Sequence, residues 1–432
     1  MPKFDFNQPS LTKAAVIFPD IYGRELSLSP HDRLDEAIRL AQAINLDVVY
    51  RNIIKIKTPK AATLIGQGVI ADFKEIIQDK AIDLLIFDTS LSPIQQRNLE
   101  KELNVKVIDR TALILEIFGE RAQTKEGKLQ VELAHLTYQR SRLVRSWTHL
   151  ERQRGGSGFL GGPGEKQIEL DRRALDDKIL NLKKDLEKVK KTRIIQRVSR
   201  SRVPYPVVAF VGYTNAGKST LFNMLSHSSV LAKDMLFATL DTAMRKVRLP
   251  SGTEIILSDT VGFISDLPHE LIMAFRATLE EVLSADLIVH VRDIAFANSA
   301  QQKQDVLQVL DSIGLSHISS ASNYIEVLNK IDLLDAEKKD KLQNTLKSNQ
   351  VGLSALTGEG RENLFNLIDD TLNREHQVIG YYLPISDGKT YAWICANAEI
   401  LSNNTQGDTM RLLIKASPAI IAKLQHKTFV EK

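Results

Sequence analysis

The sequence has one cysteine, Cys395, among its 432 residues. A single thiol excludes an internal disulfide and a metal site built from several cysteines, and between apolar neighbours we expect it to be a small buried side chain. No apolar run approaches the roughly 18 residues that cross a bilayer, and the first residues lack the charged and then apolar pattern of a secretory signal. We therefore expect a cytoplasmic protein with no membrane span, and separately we expect a monomer.

A glycine-rich segment at residues 212–220, Gly-Tyr-Thr-Asn-Ala-Gly-Lys-Ser-Thr, fits the phosphate-binding pattern G-x-x-x-x-G-K-[ST]. In such a loop, backbone N–H groups surround the β-phosphate, Lys218 places a positive charge beside the β- and γ-phosphates, and the Ser219 hydroxyl coordinates Mg²⁺. The apolar run 207–211 predicts a strand before the loop. A helix is expected after it, and its N-terminal dipole also favours an anion.

Three further motifs follow in the order that guanine-nucleotide sites require. Residues 259–262, Asp-Thr-Val-Gly, follow a predicted strand, so the carboxylate can reach Mg²⁺ through a water and the glycine N–H lies near the γ-phosphate. In Asn-Lys-Ile-Asp at 329–332, the Asp332 carboxylate can accept from guanine N1–H and its amine, whereas adenine would leave it unpaired. The Ala355 N–H is predicted to reach the guanine carbonyl. The ligand is therefore GTP or GDP, and the chain is predicted to be a GTPase.

The switch residues leave two alternatives open. Thr239 is predicted to sense the γ-phosphate through Mg²⁺, the alternative being a loop threonine with no ligand. Asn215 lies three residues before Lys218, as in GTPases that use a potassium ion beside the phosphates, the alternative being an ordinary loop asparagine. Phe263 stands where many GTPases have a glutamine that orients the attacking water, and we therefore expect slow intrinsic hydrolysis.

These motifs define one predicted site. The predicted nucleotide contacts are Gly212, Tyr213, Thr214, Asn215, Ala216, Gly217, Lys218, Ser219, Thr220, Phe237, Ala238, Thr239, Leu240, Asp259, Thr260, Val261, Gly262, Asn329, Lys330, Asp332, Ser354, Ala355 and Leu356. The predicted catalytic residues are Lys218, Thr239 and Gly262. The predicted Mg²⁺ ligands are Ser219, Thr239 and, through water, Asp259.

A basic arm precedes the phosphate loop. Residues 139–202 contain 18 Lys and Arg against 8 Asp and Glu, which is +10 there and −6 over the rest of the chain. Apolar residues at alternating three- and four-residue steps, within 129–150 and 175–189, predict two helices packed as an antiparallel coiled coil. Residues 194–202 are predicted to link this hairpin to the nucleotide-binding domain. The arm indicates RNA binding, with a solvated helix face as the alternative.

A loop with six glycines joins the two helices. Glycine excludes regular helix but lets the backbone approach a phosphate surface closely, and Phe159 at the tip can stack on a base. A flexible turn without a ligand is the alternative. The predicted RNA contacts are Arg152, Arg154, Gly156, Phe159, Gly161, Gly162, Gly164 and Lys166.

The remaining sequence predicts two further domains. Strands at 14–18, 46–50, 84–87 and 105–108 alternate with helices at 32–44, 69–78 and 93–103, which indicates a parallel sheet. A small α+β piece follows residue 374, with strands near 381–384 and 410–415 and helices near 389–401 and 418–424.

We therefore predict an α/β fold class with four parts. These are an N-terminal parallel α/β domain (1–120), an antiparallel helical hairpin (121–202), a P-loop GTPase domain (203–374) and a small α+β C-terminal domain (375–432).

Over nearly its full length the chain resembles the HflX family of ribosome-associated GTPases. The resemblance lies in specific motifs: QVELA at 130–134, GGPGE at 161–165, GYTNAGKSTLFN at 212–223, FATLD at 237–241, DTVGFI at 259–264 and LPH at 267–269. It implies that the N-terminal domain and hairpin bind the large ribosomal subunit and its RNA. It also implies a GTP cycle that helps to dissociate stalled ribosomes.

Two other readings stay open from sequence. One is a tRNA-modification or membrane-transport GTPase, which would require a transmembrane segment, a catalytic cysteine set or a partner enzyme, and the first two are absent. The other is an RNA chaperone or helicase-like protein driven by ATP in the N-terminal domain, where Gly66 and Gly68 either face a nucleotide or form a structural turn.

Overall fold

The fold is known from a computed structural model. It describes residues 11–24, 28–153, 163–200, 205–227, 236–237, 243–265, 281–374, 377–416 and 418–425. No helix within these ranges combines the length and apolarity that a membrane span requires.

The first sheet is parallel, with strand order β2-β1-β3-β4, as predicted. Its strands are Lys13–Ile21 (β1), Asp47–Ile56 (β2), Leu84–Phe87 (β3) and Lys106–Asp109 (β4). Its helices are Pro30–Gln42 (α1), Gln67–Lys80 (α2), Pro93–Leu103 (α3) and Arg110–Arg121 (α4). Helix α1 begins where the Ser29 side chain accepts from the Asp32 N–H, and α3 begins with a capping box of Ser92 and Gln95.

Helix α4 is absent from the sequence prediction. Asp109 is both the last residue of β4 and the N-cap of α4, where its side chain accepts from the Ala112 N–H. No glycine, proline or other turn residue separates the two elements, so the sequence gives no local signal that the strand ends and a helix begins. This junction directs Arg110 towards the nucleotide-binding part of the chain.

The hairpin consists of Lys125–Gln153 (α5) and Pro163–Arg200 (α6). On α6 the predicted seam is confirmed from Leu175 to Val189, because its apolar positions are buried or half-buried while most of their neighbours are exposed. The predicted link at 194–202 is helical over most of its length, since α6 continues to Arg200. A charged sequence without glycine or proline simply extends the helix.

Helix α5 has a second buried face that the sequence analysis did not recognise. Val131 and Ala134 are 5% and 1% exposed and pack into the core beside the N-terminal sheet. Gln130 is also buried on this face. The first part of α5, residues 125–142, is called the hairpin root below. It therefore packs against the N-terminal domain as well as against α6.

The second sheet has the order β10-β9-β8-β5-β7-β6, parallel except for the edge strand β6. Its strands are Val207–Gly212 (β5), Ala243–Arg248 (β6), Glu254–Asp259 (β7), Leu287–Asp293 (β8), Tyr324–Asn329 (β9) and Gln350–Gly352 (β10). Its described helices are Lys218–Ser226 (α7), Ser299–Ser312 (α8), Ala336–Thr345 (α9) and Arg361–Asn373 (α10). The motifs predicted to bind nucleotide begin at the carboxyl ends of β5, β7 and β9, which lie on the same side of the sheet.

The third sheet is antiparallel, with order β11-β13-β12. Its elements are Gln377–Pro384 (β11), Gly388–Asn397 (α11), Glu399–Gln406 (β12), Thr409–Ala416 (β13) and Pro418–Gln425 (α12). The prediction of a helix to residue 401 was wrong, because β12 is a polar edge strand without apolar alternation. Cys395 is exposed, which corrects the expected burial.

One buried histidine in the second sheet makes stability depend on pH. Complete burial lowers the pKa of His290 to about 3, and its Nδ1 lies 2.7 Å from the Tyr324 hydroxyl oxygen. In the unfolded chain its pKa is about 6.5. Between these values the unfolded state holds one more proton, so the free energy of unfolding should fall by up to about 1.4 kcal/mol per pH unit as pH decreases below 6.5.

We expect His290→Gln to flatten this acid dependence in urea unfolding measured from pH 7 to pH 4.5. His31→Gln, on the exposed surface of α1, is the matched control and should keep the wild-type slope. A wild-type slope in His290→Gln would contradict a neutral buried imidazole.

Candidate nucleotide-binding site

The phosphate loop, residues 212–219, connects β5 to α7 and depends on its two glycines. A Cβ at Gly212 would lie 2.2 Å from the Val291 carbonyl oxygen. Gly217 caps α7 with a φ of +92°, and a Cβ there would lie 2.2 Å from Asn329 Nδ2. Neither position accepts a side chain, so the loop backbone packs directly against the neighbouring strand ends.

Lys218 points back into this loop. Its Nζ donates to the carbonyl oxygens of Gly212 and Tyr213 at 3.0 and 2.7 Å, and the residue is 6% exposed. Burial lowers the pKa of Lys218 to about 8, while the charge of Asp259 acts in the opposite direction. The loop therefore holds a buried amine whose charged form gains from an anion placed beside it.

Ser219 and Asp259 form the candidate metal-binding pair. The Ser219 Oγ donates to Asp259 Oδ2 at 2.7 Å, and Asp259 is fully buried at the end of β7. A hydroxyl and a carboxylate are the hard oxygen ligands that Mg²⁺ prefers, so this donor set fits the ion. The third predicted ligand, Thr239, lies outside the described residues, as do Ala238 and Leu240.

Residues 259–265, called switch II below, are paired with the phosphate loop. The Phe263 N–H donates to the Gly212 carbonyl at 3.1 Å, and the Thr214 N–H donates to the Phe263 carbonyl at 2.7 Å. A Cβ at Gly262 would lie 2.9 Å from Thr214 Cγ2 and 3.0 Å from Lys218 Nζ. The Gly262 backbone is therefore in close contact with the phosphate loop, and this arrangement leaves no space for a further group between Gly262 and Lys218.

Phe263 is buried in the core, with 3% of its surface exposed. The phenyl group offers no hydrogen bond to water. The residue that follows the Asp-Thr-Val-Gly motif therefore contributes packing here.

The motifs predicted to bind the base come together at the ends of β9 and β10. Asn329 Nδ2 donates to the Ala216 carbonyl at 2.8 Å, which ties this motif to the phosphate loop. Lys330 Nζ lies 2.7 Å from Asp293 Oδ2. Asp332 is exposed within the 3-10 turn Ile331–Leu333, and Leu356 is 81% exposed. Both side chains are therefore accessible to a ligand.

One predicted contact has another partner in the structure. The Ala355 N–H donates to Asn329 Oδ1 at 2.9 Å, whereas the sequence predicts the guanine carbonyl as its acceptor. The amide follows β10 directly, which brings it within reach of the asparagine at the end of β9. This hydrogen bond orients the Asn329 side chain, and the contact with guanine stays a prediction.

A buried polar network, missed by the sequence analysis, joins this site to the N-terminal sheet. Its members are Arg33, Glu36, Asp88, Arg110, Tyr213 and Ser265. Arg110 Nη2 donates to Glu36 Oε2 at 2.6 Å and to the Ser265 carbonyl at 3.0 Å. No motif or spacing relates these positions, because they come from five separate places in the sequence.

Apolar contacts accompany the network. The rings of Phe118 on α4 and Phe237 lie 4.7 Å apart between centroids, in an edge-to-face arrangement. Phe237, Phe263 and Ile264 belong to the same hydrophobic cluster as residues of β1, α1 and α4. The N-terminal domain and the switch II side of the nucleotide site therefore share one core.

Most of the predicted RNA contacts lie outside the part of the chain that the structure describes. Arg154, Gly156, Phe159, Gly161 and Gly162 lie outside the described residues. The backbone positions of Arg152, Gly164 and Lys166 lie in α5 and α6, at the ends that face one another across this loop.

Three family descriptions match the chain in series. Residues 31–119 match a GTP-binding GTPase N-terminal region, residues 121–200 a GTP-binding GTPase middle region, and residues 207–330 a 50S ribosome-binding GTPase.

Curated relatives match over most of the chain. GTPase HflX of Magnetococcus marinus is 47% identical over 393 residues, which is 91% of this chain and 90% of that protein. GTPase HflX of Escherichia coli is 45% identical over 334 residues, 77% of each chain. A crystal structure of a GTP-binding protein from Sulfolobus solfataricus in complex with GDP is 26% identical, with a TM-score of 0.44, and covers 84% of this chain and 99% of that one.

Proposed function

Because this chain belongs to the HflX family of GTPases and is a GTP-hydrolysing enzyme, we propose that it binds the large ribosomal subunit when GTP is bound and helps to dissociate stalled ribosomes. Its RNA partner would be ribosomal RNA, contacted by the basic hairpin. The proposed setting is a cytoplasmic monomer. The proposed domain division is 1–120, 121–202, 203–374 and 375–432, and it is supported by helix ends at Arg121, Arg200 and Asn373.

The observation that carries this proposal is that two adjacent residues, Asp109 and Arg110, contact both the hairpin and switch II. Asp109 accepts from the Tyr138 hydroxyl at 2.9 Å and from Arg142 Nη1 at 3.2 Å, both on α5. Its neighbour Arg110 donates to the Ser265 carbonyl of switch II. The junction of β4 and α4 therefore contacts the hairpin root on one side and switch II on the other.

Nucleotide binding would act on this junction through switch II. The γ-phosphate would be contacted by Lys218 Nζ, which already lies at the loop, and by the Gly262 N–H after it moves outward. Ser219, Asp259 and Thr239 would hold Mg²⁺, which when bound supplies positive charge beside the phosphates. Displacement of Ser265 would break its hydrogen bond with Arg110. A shift of Arg110 would in turn move its neighbour Asp109, which contacts the hairpin root. Switch II would then have two arrangements, one paired with the phosphate loop and one moved outward. GTP changes ribosome affinity only to the extent that it favours one of them over the other.

Hydrolysis to GDP and phosphate would be slow without the ribosome. A water attacks the γ-phosphate, and Phe263 cannot orient it. We therefore propose that the ribosome supplies the missing stabilisation by reordering the switch segments. Asn215 has a φ of 60°, a left-handed conformation that asparagine tolerates. The potassium ion stays a prediction.

Sedimentation with purified large ribosomal subunits tests the proposal. We expect about tenfold more protein to sediment with a non-hydrolysable GTP analogue than with GDP, because only the triphosphate opens switch II. The bound fraction should fall steeply between 50 and 200 mM salt, since phosphate contacts release counterions. Equal sedimentation with the two nucleotides would overturn the GTP-dependent cycle, and a flat salt response would overturn RNA binding by the basic hairpin.

A further inference from the structure

Tyr213 differs in role from the rest of the phosphate loop, because its side chain faces the N-terminal domain. It is 4% exposed, and its hydroxyl donates to Glu36 Oε1 on α1. Burial, and next the charge of Glu36, raise the pKa of Tyr213 well above its usual value, so the hydroxyl stays protonated and a donor. A residue of the phosphate loop is thereby tied to another domain.

The same hydroxyl holds switch II. The Ser265 N–H donates to it at 2.8 Å, and Ser265 Oγ lies 3.0 Å from it. Ser265 Oγ also accepts from Arg33 Nη1 at 2.8 Å and donates to Glu36 Oε2 at 3.2 Å. Ser265 is 2% exposed. These hydrogen bonds fix the position of Ser265, which lies only three residues after Gly262.

The held position is the one that excludes the γ-phosphate. With Ser265 fixed, Phe263 stays paired with Gly212 and Thr214, and Gly262 stays against Lys218. GDP, which lacks the third phosphate, places no group there. A triphosphate must therefore break the contacts of Tyr213 and Ser265, whereas a diphosphate leaves them intact.

We propose that Tyr213 is a specificity-determining residue for the nucleotide: with Glu36 of the N-terminal domain, its hydroxyl holds switch II against the phosphate loop and lowers the affinity for GTP relative to GDP. This inference rests on the proposed nucleotide site at the phosphate loop. The N-terminal domain thereby enters the choice of nucleotide without contacting it.

Calorimetric titration of the full chain with GDP and with a non-hydrolysable GTP analogue, both with Mg²⁺, tests the inference. In Tyr213→Phe the ratio of the two dissociation constants should shift by about tenfold in favour of the triphosphate. Tyr324→Phe is the matched control, since Tyr324 is 1% exposed and loses one hydrogen bond, to His290. Both variants should lower the thermal midpoint, but only Tyr213→Phe should change the ratio.

Ser265→Ala, which removes the hydroxyl contacts to Arg33, Glu36 and Tyr213, provides a second variant with the same expected shift. It decides the question if Tyr213→Phe does not fold. An unchanged ratio in a folded variant, with wild-type binding intact, overturns this inference alone. Absence of nucleotide binding by the wild-type protein would overturn the proposed site, and the inference with it.

Discussion

Asp332→Asn should convert a protein that prefers GTP into one that prefers xanthosine triphosphate. The carboxylate is exposed beside Asn329 and Lys330, where it can accept from guanine N1–H and the exocyclic amine. An amide offers a donor in place of one acceptor, which matches the second carbonyl of xanthine. Loss of two charge-assisted hydrogen bonds should weaken GTP binding by on the order of 10³-fold.

Hydrolysis of the two triphosphates by wild type and variant measures this effect. Asp340→Asn is the matched control, because Asp340 is exposed on α9 of the same domain and should keep the wild-type preference. A variant at Asp332 that still prefers GTP would show that another group reads the base. Restored ribosome sedimentation with a xanthosine triphosphate analogue would connect the base-reading site to the proposed cycle.

Lys218→Met should strongly reduce GTP hydrolysis without weakening the fold. The ammonium is the cation at the centre of the loop, and its removal should reduce the hydrolysis rate by about 10³-fold, since it acts where negative charge develops. A methionine has similar length and no desolvation cost on burial, which offsets the two lost hydrogen bonds to loop carbonyls. Single-turnover hydrolysis and thermal unfolding of the same preparation measure the two effects.

Lys303→Met provides the comparison for this change. Lys303 pairs with Glu326 at 2.8 Å, and its substitution leaves a buried carboxylate with one partner fewer. It should therefore lower the thermal midpoint while hydrolysis stays within about twofold. Substantial hydrolysis by Lys218→Met would contradict the role given to the lysine.

The nucleotide site was predictable from sequence because its chemistry is local. The phosphate loop needs Gly212 and Gly217 where side chains would collide with a strand end, and this requirement appears as a fixed spacing. The parallel N-terminal sheet was predictable for a similar reason, since apolar strands alternate with helical patterns. The family assignment followed from the same motifs and is confirmed by relatives up to 47% identical.

The features that the sequence did not predict depend on long-range contacts or lack a local signal such as turn residues at their ends. Helix α4 starts at the last residue of β4, and β12 is a polar edge strand, so neither leaves a local signal. The partner of the Ala355 amide is decided by where β9 and β10 end relative to each other. Pairing of Tyr213 with Glu36 joins residues 177 positions apart, and nothing in one sequence relates them.

The shared core has a practical consequence for how the enzyme can be studied. A fragment that starts at residue 203 would contain every nucleotide motif, but it would bring Phe237, Phe263 and Ile264 into water, together with Tyr213 and Ser265 without their charged partners. Rates measured on such a fragment describe switch segments that have lost the surface against which they are folded. The smallest unit whose kinetics represent the natural enzyme therefore begins with the first strand.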